Sequence, residues 1–240
     1  MRHDGRAEDE LRHLDLLPGF VATADGSVLF SIGQTRVICT ASVDADTPRW
    51  LRGTGRGWVS AEYGMLPAST GERKQRDSSR GRPDGRSIEI QRLIGRSLRA
   101  IVDLEALGER TVWVDCDVLQ ADGGTRCAAI CGGYVALHRA LSGLVDAGKL
   151  HELPLTAGVA AVSCGIVEGE AVLDLDYKED SSAEVDLNVV MTSGGRLVEV
   201  QGTAEGQPFD RVQLDRLLEL GAAGMQRIEA AQLQAVAAPR

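Results

Sequence analysis

The sequence lacks the features that mark membrane-spanning, secreted and disulfide-linked proteins. In its 240 residues no run approaches the roughly 18 consecutive apolar residues that cross a membrane, and the opening MRHDGRAEDELRHLD has no apolar core of the kind found in secretion signals. The five cysteines are odd in number and never spaced as Cys-X-X-Cys, which indicates neither a disulfide framework nor a zinc site. We therefore expect a cytoplasmic protein that does not associate with membranes.

An overall excess of basic charge is also absent. The net charge of −9 argues against a protein coated in basic surface for nucleic acid. Basic residues are nevertheless concentrated between Glu72 and Arg99, where nine of them outnumber four acidic residues. Much of this segment is a polar stretch without apolar periodicity, Pro67 to Gly85, which predicts a long loop. Loops of that length are usually functional or disordered.

Apolar periodicity divides the rest of the chain into strands and helices. Strands are predicted in QTRVICTASV, GWVSAEYGML, TVWVDCDVLQ, AGVAAVSCGIV and AVLDLDY, with hairpin turns at Asp25-Gly26 and Gly194-Gly195. Helices are predicted from about Ser87 to Leu104, from the turn after Asp122 to about Gly148, and from Phe209 or Asp210 to about Ala237. This order favours an α+β layered fold over strict βαβ alternation. The length allows one large domain or two small ones.

A glycine-rich turn, Asp122-Gly123-Gly124-Thr125-Arg126, joins a predicted strand to a predicted helix. Glycines let the backbone approach a ligand closely, and the free N–H groups and dipole at a helix start favour an anion. Thr125 adds a hydroxyl donor, and Arg126 adds a planar guanidinium whose N–H groups suit phosphate oxygens. The equally weighted alternative is a turn whose threonine caps the helix. The motif matches neither the P-loop nor the dinucleotide fingerprint.

Six carboxylates lie within a short strand-like stretch, and they are Asp174, Asp176, Glu179, Asp180, Glu184 and Asp186. Oxygen clusters of this kind suit Mg²⁺ or Mn²⁺, and one acid could instead serve as a general acid. A solvated acidic loop is the alternative, because such side chains are usually exposed. Acids within apolar sequence are costly to bury unless they are paired or metal-bound, which favours a functional role.

Long segments along nearly the whole chain resemble, in the same order, those of the ribonuclease PH family. The members of this family are phosphate-dependent 3′ exoribonucleases, also called tRNA nucleotidyltransferases. They include MRHDGR, GSVLFSIGQTRVICTASV, GWVSAEYGMLPAST, RGRPDGRSIEIQRLIGRSLRA, DVLQADGGTRCAAICGG and the carboxylate stretch through VEVQGTAEG. The resemblance implies a single catalytic domain over residues 1–240 with a ribosomal protein S5 domain 2-like α+β fold. It also implies a ring-shaped homo-hexamer that is built as a trimer of dimers. The expected reaction uses inorganic phosphate to trim the 3′ ends of RNA, chiefly tRNA precursors.

The same resemblance assigns roles to individual residues. Gly124, Thr125 and Arg126, with Arg86, look like the binding site for the attacking phosphate. Asp180 and Asp186 look like the pair that holds Mg²⁺ or Mn²⁺ and assists the leaving 3′-oxygen. The loop from Gly71 to Gly85 looks like a mobile basic segment beside the RNA entrance, with Arg73, Lys74, Arg76, Arg80 and Arg82, although a solvated disordered loop would have the same composition.

Two other functions fit parts of this pattern. Catalytically silent RNA-binding ring subunits share the fold but typically lack parts of the phosphate and acid sets, which this chain keeps. A metal-dependent hydrolytic nuclease would use water rather than phosphate, and it would release nucleoside monophosphates. Product identity therefore separates the three hypotheses.

Overall fold

The computed structural model describes residues 2–76, 79, 81–82 and 84–239. Their helices and strands, in chain order, are β1 (Leu14–Pro18), β2 (Gly26–Ile32), β3 (Thr35–Asp44), β4 (Trp58–Met65), α1 (Gly85–Arg99), α2 (Leu104–Leu107), β5 (Thr111–Gln120), α3 (Thr125–Asp146), β6 (Val159–Val167), β7 (Glu170–Leu173), α4 (Tyr177–Asp180), β8 (Val185–Thr192), β9 (Leu197–Ala204) and α5 (Arg211–Ala237). A 3₁₀ helix, Arg49–Leu51, precedes β4. The predicted α+β fold is confirmed.

The strands form two sheets. The first sheet has the order β1-β2-β3-β5-β4, and its pairs are antiparallel except for β4 and β5, which are parallel. A parallel pair needs a long crossover, and α1 and α2 lie within it. The second sheet has the order β7-β6-β8-β9 and is antiparallel throughout.

Helix α3 joins the two sheets. It packs on β2, β3 and β5 of the first sheet and on β6 of the second, while α5 packs on β6, β7 and β1. Buried side chains occur on all sides of α3, as expected for a helix in the centre of a core. By length and composition α3 could cross a membrane, but 72% of its most apolar window is buried within this fold. That burial is typical of a core helix.

The predicted hairpin turn at Asp25-Gly26 is wrong. The two-residue turn lies at residues 33–34, between β2 and β3, and residues 19–25 form a longer connection from β1. Gly26 instead begins β2 at a close contact with α3, where a Cβ would lie 2.1 Å from the carbonyl oxygen of Ala136. Glycine in a strand can mark such an approach as readily as a turn, and local sequence does not separate the two.

The predicted strand AVLDLDY is shorter than expected. β7 ends at Leu173, and Asp174 has a positive φ of 55° that directs the chain out of the sheet. Asp176 then caps α4, where its side chain accepts a hydrogen bond from the backbone N–H of Glu179. Asp174 and Asp176 therefore lie in the connection between β7 and α4 rather than on a strand.

Candidate active site

The glycine turn, Asp122 to Arg126, connects β5 to α3 and lies against the segment that leads into α4. Gly123 and Gly124 have φ values of +71° and +67°, which a residue with a Cβ adopts only under strain. A Cβ on Gly123 would lie 2.7 Å from the carbonyl carbon of Asp176. The turn therefore requires glycine both for its conformation and for its contact with the carboxylate segment, Asp174 to Asp186.

The start of α3 is open to an anion. Gly124 is the N-cap residue, and none of the side chains that the structure describes caps the helix. Thr125 lies inside the helix instead, where its Oγ1 accepts a hydrogen bond of 2.9 Å from the hydroxyl of Tyr63. The alternative in which Thr125 caps α3 is therefore wrong. A 22-residue helix that begins with free backbone N–H groups favours negative charge at this end.

Two arginines flank this helix start. Arg126 is half-buried in the first turn of α3, donates a hydrogen bond to Gln201 of β9 and lies 3.6 Å from Glu89 of α1. Arg86 is exposed in the first turn of α1. Both positive charges favour the ionised forms of Asp180 and Asp186, so both lie within electrostatic range of these carboxylates.

Asp180 and Asp186 come from different elements. Asp180 ends α4, and its backbone N–H donates to the Asp176 carbonyl oxygen at 2.8 Å. Asp186 lies on β8, where both of its carboxylate oxygens accept from Asn188 Nδ2 at 3.3 Å. Asn188 in turn accepts a hydrogen bond from the Cys127 thiol of α3. The glycine turn and the two acids thus belong to one connected site.

Asp180 and Asp186 both have a raised pKa. Burial raises the pKa of Asp186, and the negative charge of Asp180 raises it further, against the opposing effects of Arg126 and Arg86. Asp180 is exposed, but the surrounding protein partly desolvates its carboxylate and so raises its pKa. Arg86 and Arg126 act in the opposite direction. Raised pKa values of this kind are typical of functional sites, and a bound cation would favour the ionised form of both acids.

The donor set fits Mg²⁺ or Mn²⁺ better than zinc. Among the residues that the structure describes, no three His, Cys, Asp or Glu side chains form a cluster able to hold a metal. A cation at Asp180 and Asp186 would have two carboxylates and would complete its coordination with water and phosphate oxygens. Mg²⁺ commonly binds in this way.

The other carboxylates of the segment have structural partners that sequence reasoning missed. Glu179 is buried, and its two oxygens accept hydrogen bonds from Arg2 at 2.7 and 2.6 Å. Asp176 lies 2.6 Å from His3, and Asp174 is bound by Arg12. Two features of the sequence could have indicated these pairs. Buried acids need partners because burying them alone is costly, and the opening segment contains basic residues with no other assigned role.

The predicted basic segment is only partly described. Arg73, Arg76 and Arg82 are exposed, whereas Arg80 lies outside the described residues. Lys74 is half-buried, and its Nζ lies 3.4 Å from a carboxylate oxygen of Asp84, the residue before α1. The segment therefore leads directly into the helix that carries Arg86.

Two domain models of one protein family match most of the chain. Residues 10–141 match the model of the 3′ exoribonuclease family, domain 1, and residues 158–224 match domain 2 of that family. The ribonuclease PH of Moorella thermoacetica is 56% identical over 234 residues, which cover 98% of this chain and 94% of the relative.

Solved structures show the same fold. Rice (Oryza sativa) Rrp46 superposes with a TM-score of 0.79 at 20% identity, covering 98% of this chain and 100% of the other. The Archaeoglobus fulgidus exosome with RNA bound to the active site contains a chain with a TM-score of 0.77 at 25% identity, covering 97% and 91%. The first likeness concerns the fold alone.

Proposed function

The chain belongs to the ribonuclease PH family of 3′ exoribonucleases, and from that premise we propose how its residues carry out the reaction. It is a phosphate-dependent 3′ exoribonuclease of tRNA processing. Inorganic phosphate attacks the last phosphodiester of the RNA, the bond to the 3′-oxygen of the preceding nucleotide breaks, and a nucleoside 5′-diphosphate leaves. The reverse reaction adds nucleotides.

The glycine turn and two arginines bind the attacking phosphate in this proposal. Gly124 and Thr125 present the first backbone N–H groups of α3 to the phosphate oxygens. Arg126 and Arg86 neutralise the phosphate and the RNA phosphodiester, which otherwise repel each other. Tyr63 fixes the Thr125 hydroxyl by its hydrogen bond.

Asp180 and Asp186 act at the other end of the breaking bond. They would hold Mg²⁺ or Mn²⁺, which when bound offsets the charge that grows on the leaving 3′-oxygen. Asn188 orients Asp186, and the end of α4 orients Asp180. One observation carries this proposal, namely that the charges of Arg86 and Arg126 act on both Asp180 and Asp186 beside a helix start that no described side chain caps.

We propose four further properties on the basis of family membership. Residues 1–240 act as one catalytic domain, the protein assembles as a homo-hexamer built as a trimer of dimers, and it works in the cytoplasm. Its RNA substrates are chiefly tRNA precursors, which the exposed Arg73, Arg76 and Arg82, with Lys74 and Arg80, guide to the site.

The nature of the released nucleotides tests the function. Purified protein is incubated with a 3′-extended tRNA and Mg²⁺, with and without inorganic phosphate. Nucleoside diphosphates that appear only with phosphate are expected. Monophosphates released without phosphate would establish hydrolysis, and RNA that is bound but uncut would establish a silent ring subunit.

A further inference from the structure

A buried arginine connects the glycine turn to the carboxylate segment. Arg12 is only 7% exposed. Its Nη2 and Nε donate to the two carboxylate oxygens of Asp174 at 2.7 and 3.0 Å, and its backbone N–H donates to the same carboxylate at 2.8 Å. Its Nη1 donates to the carbonyl oxygen of Asp122, the first residue of the glycine turn. One guanidinium therefore binds both halves of the site.

Both contacts are made where the backbone changes direction. Asp174 has a positive φ of 55° and begins the path from β7 to Asp180. Its carbonyl oxygen also accepts hydrogen bonds of 2.9 Å from Arg2 and Arg6. On the other side, a Cβ on Gly124 would lie 3.2 Å from Nη2 of Arg12, so the guanidinium packs directly against the turn.

A second hydrogen bond between the glycine turn and the carboxylate segment is weaker. The backbone N–H of Tyr177 donates to a side-chain oxygen of Asp122 at 3.3 Å, near the upper limit for such a bond. Arg12, by contrast, supplies a planar fork of donors that fits a carboxylate bidentately and reaches a third acceptor. Of these two hydrogen-bonded links, Arg12 is therefore the stronger one, and it acts beside the close contact of Gly123 with Asp176.

We propose that Arg12 is a positioning residue that fixes the glycine turn relative to Asp180 and Asp186. The inference rests on the proposed function, because phosphorolysis needs the attacking phosphate and the leaving 3′-oxygen in line. A misplacement of about 1 Å can slow such a step by about 100-fold, even when each group still binds its own ligand. In this proposal Arg12 contacts neither ligand and acts through the residues that it holds.

The test compares Arg12→Lys with a matched control, Arg139→Lys. Arg139 is 5% exposed, and its guanidinium donates to the carbonyl oxygens of Ala238 and Pro239. It lies about 20 Å from Arg126 along α3, so its replacement perturbs a buried arginine far from the site. Lysine keeps the positive charge in both variants but cannot reproduce the fork.

We expect Arg12→Lys to lower kcat about 10- to 100-fold, while KM for phosphate changes by less than about threefold. The affinity for inorganic phosphate, measured by calorimetry without RNA or metal, should change equally little. Arg139→Lys should lower the melting temperature but leave kcat per folded molecule within about twofold of the wild type.

Two results would overturn the inference. An Arg12→Lys protein with normal kcat per folded molecule would show that Arg12 serves stability alone. A rise in KM and in the calorimetric Kd for phosphate, with kcat unchanged, would make Arg12 a phosphate ligand instead.

A second variant tests the same role if the Arg12→Lys protein does not fold. Asp174→Asn keeps the shape of the carboxylate but removes its charge, so the contact with Arg12 weakens and the same fall in kcat is expected. Normal kcat in folded Asp174→Asn would refute the role. A wild-type protein that releases no diphosphate would refute the proposed function, and the inference with it, before any variant is compared.

Discussion

The six carboxylates between Asp174 and Asp186 differ in their surroundings and therefore in their roles. Asp174, Asp176 and Glu179 are buried and paired with basic side chains of the first twelve residues, which stabilises the segment. Asp180 and Asp186 retain access to solvent and have a raised pKa. Pairing explains the first group as structural, whereas burial without a basic partner of this kind distinguishes the second group, for which we propose metal binding.

Asp180→Asn is predicted to abolish turnover while leaving the fold intact. Burial raises the pKa of Asp180 above its ordinary value of 3.8. At neutral pH the negative charge of Asp180 therefore destabilises the folded chain relative to the unfolded chain. Removing the charge should raise the metal-free melting temperature by about 1–3 °C and lower kcat by at least about 100-fold.

Calorimetry with a chelator and an RNA-trimming assay measure these two effects. Glu184→Gln is the control, because Glu184 is an exposed acid of the same segment whose contact with the Gly169 backbone an amide can keep. Full activity of a folded Asp180→Asn protein would remove the metal role from this residue.

Arg126→Ala is predicted to weaken the use of phosphate. Loss of a charged hydrogen-bond donor at the start of α3 should raise KM for phosphate by about 10- to 100-fold, with a smaller fall in kcat. Initial rates over a range of phosphate concentrations at saturating RNA measure both constants. Arg36→Ala, at an exposed position on β3, is the control. A fall in kcat with unchanged KM would contradict the assignment.

At the scale of elements, the site depends on how closely the glycine turn and the carboxylate segment approach each other. Strong local signals predicted the elements themselves well, since TVWVDCDVLQ is β5 and the capping box at Asp210 begins α5 near the predicted residue. The partners of the buried acids could not be predicted, because Arg12 and Asp174 are 162 residues apart in the chain. Periodicity reports burial, but it does not identify long-range pairs.

Gly123→Ala tests this close approach. The change imposes strain from the positive φ and also drives a Cβ to within 2.7 Å of the Asp176 carbonyl carbon, so the carboxylate segment must move. We expect kcat to fall by about 10-fold or more. Gly195→Ala is the matched control, because its φ of +74° is similar and, within the described part of the chain, no atom beyond its chain neighbours lies within 4 Å of a Cβ there.

Both glycine variants should lose about 1–2 kcal/mol of unfolding free energy from the φ strain, measured by urea titration. Only Gly123→Ala should also lose activity per folded molecule. Equal activity in the two variants would show that the contact between the turn and the segment is irrelevant to catalysis.

At the scale of the molecule, the α+β fold places the core helix α3 between two sheets. The glycine turn at the start of α3 contacts the segment that follows β7, so residues matched by the two family domains lie side by side. A chain with a net charge of −9 can thus concentrate positive charge locally where RNA and phosphate must meet.

Native mass spectrometry tests the proposed assembly. A ring of six chains is expected, with a mass six times the 25.6 kDa of one chain, together with dimers at low protein concentration because the ring is a trimer of dimers. A species that remains monomeric at all concentrations would contradict the proposed ring.

The origin of the oxygen atoms in the product tests the central claim most directly. The protein is supplied with ¹⁸O-labelled inorganic phosphate, unlabelled 3′-extended tRNA and Mg²⁺, and the released nucleotides are analysed by mass spectrometry. Phosphorolysis predicts nucleoside diphosphates that carry the label in the terminal phosphate. Unlabelled monophosphates would mean that water is the nucleophile, and they would contradict the account of the site.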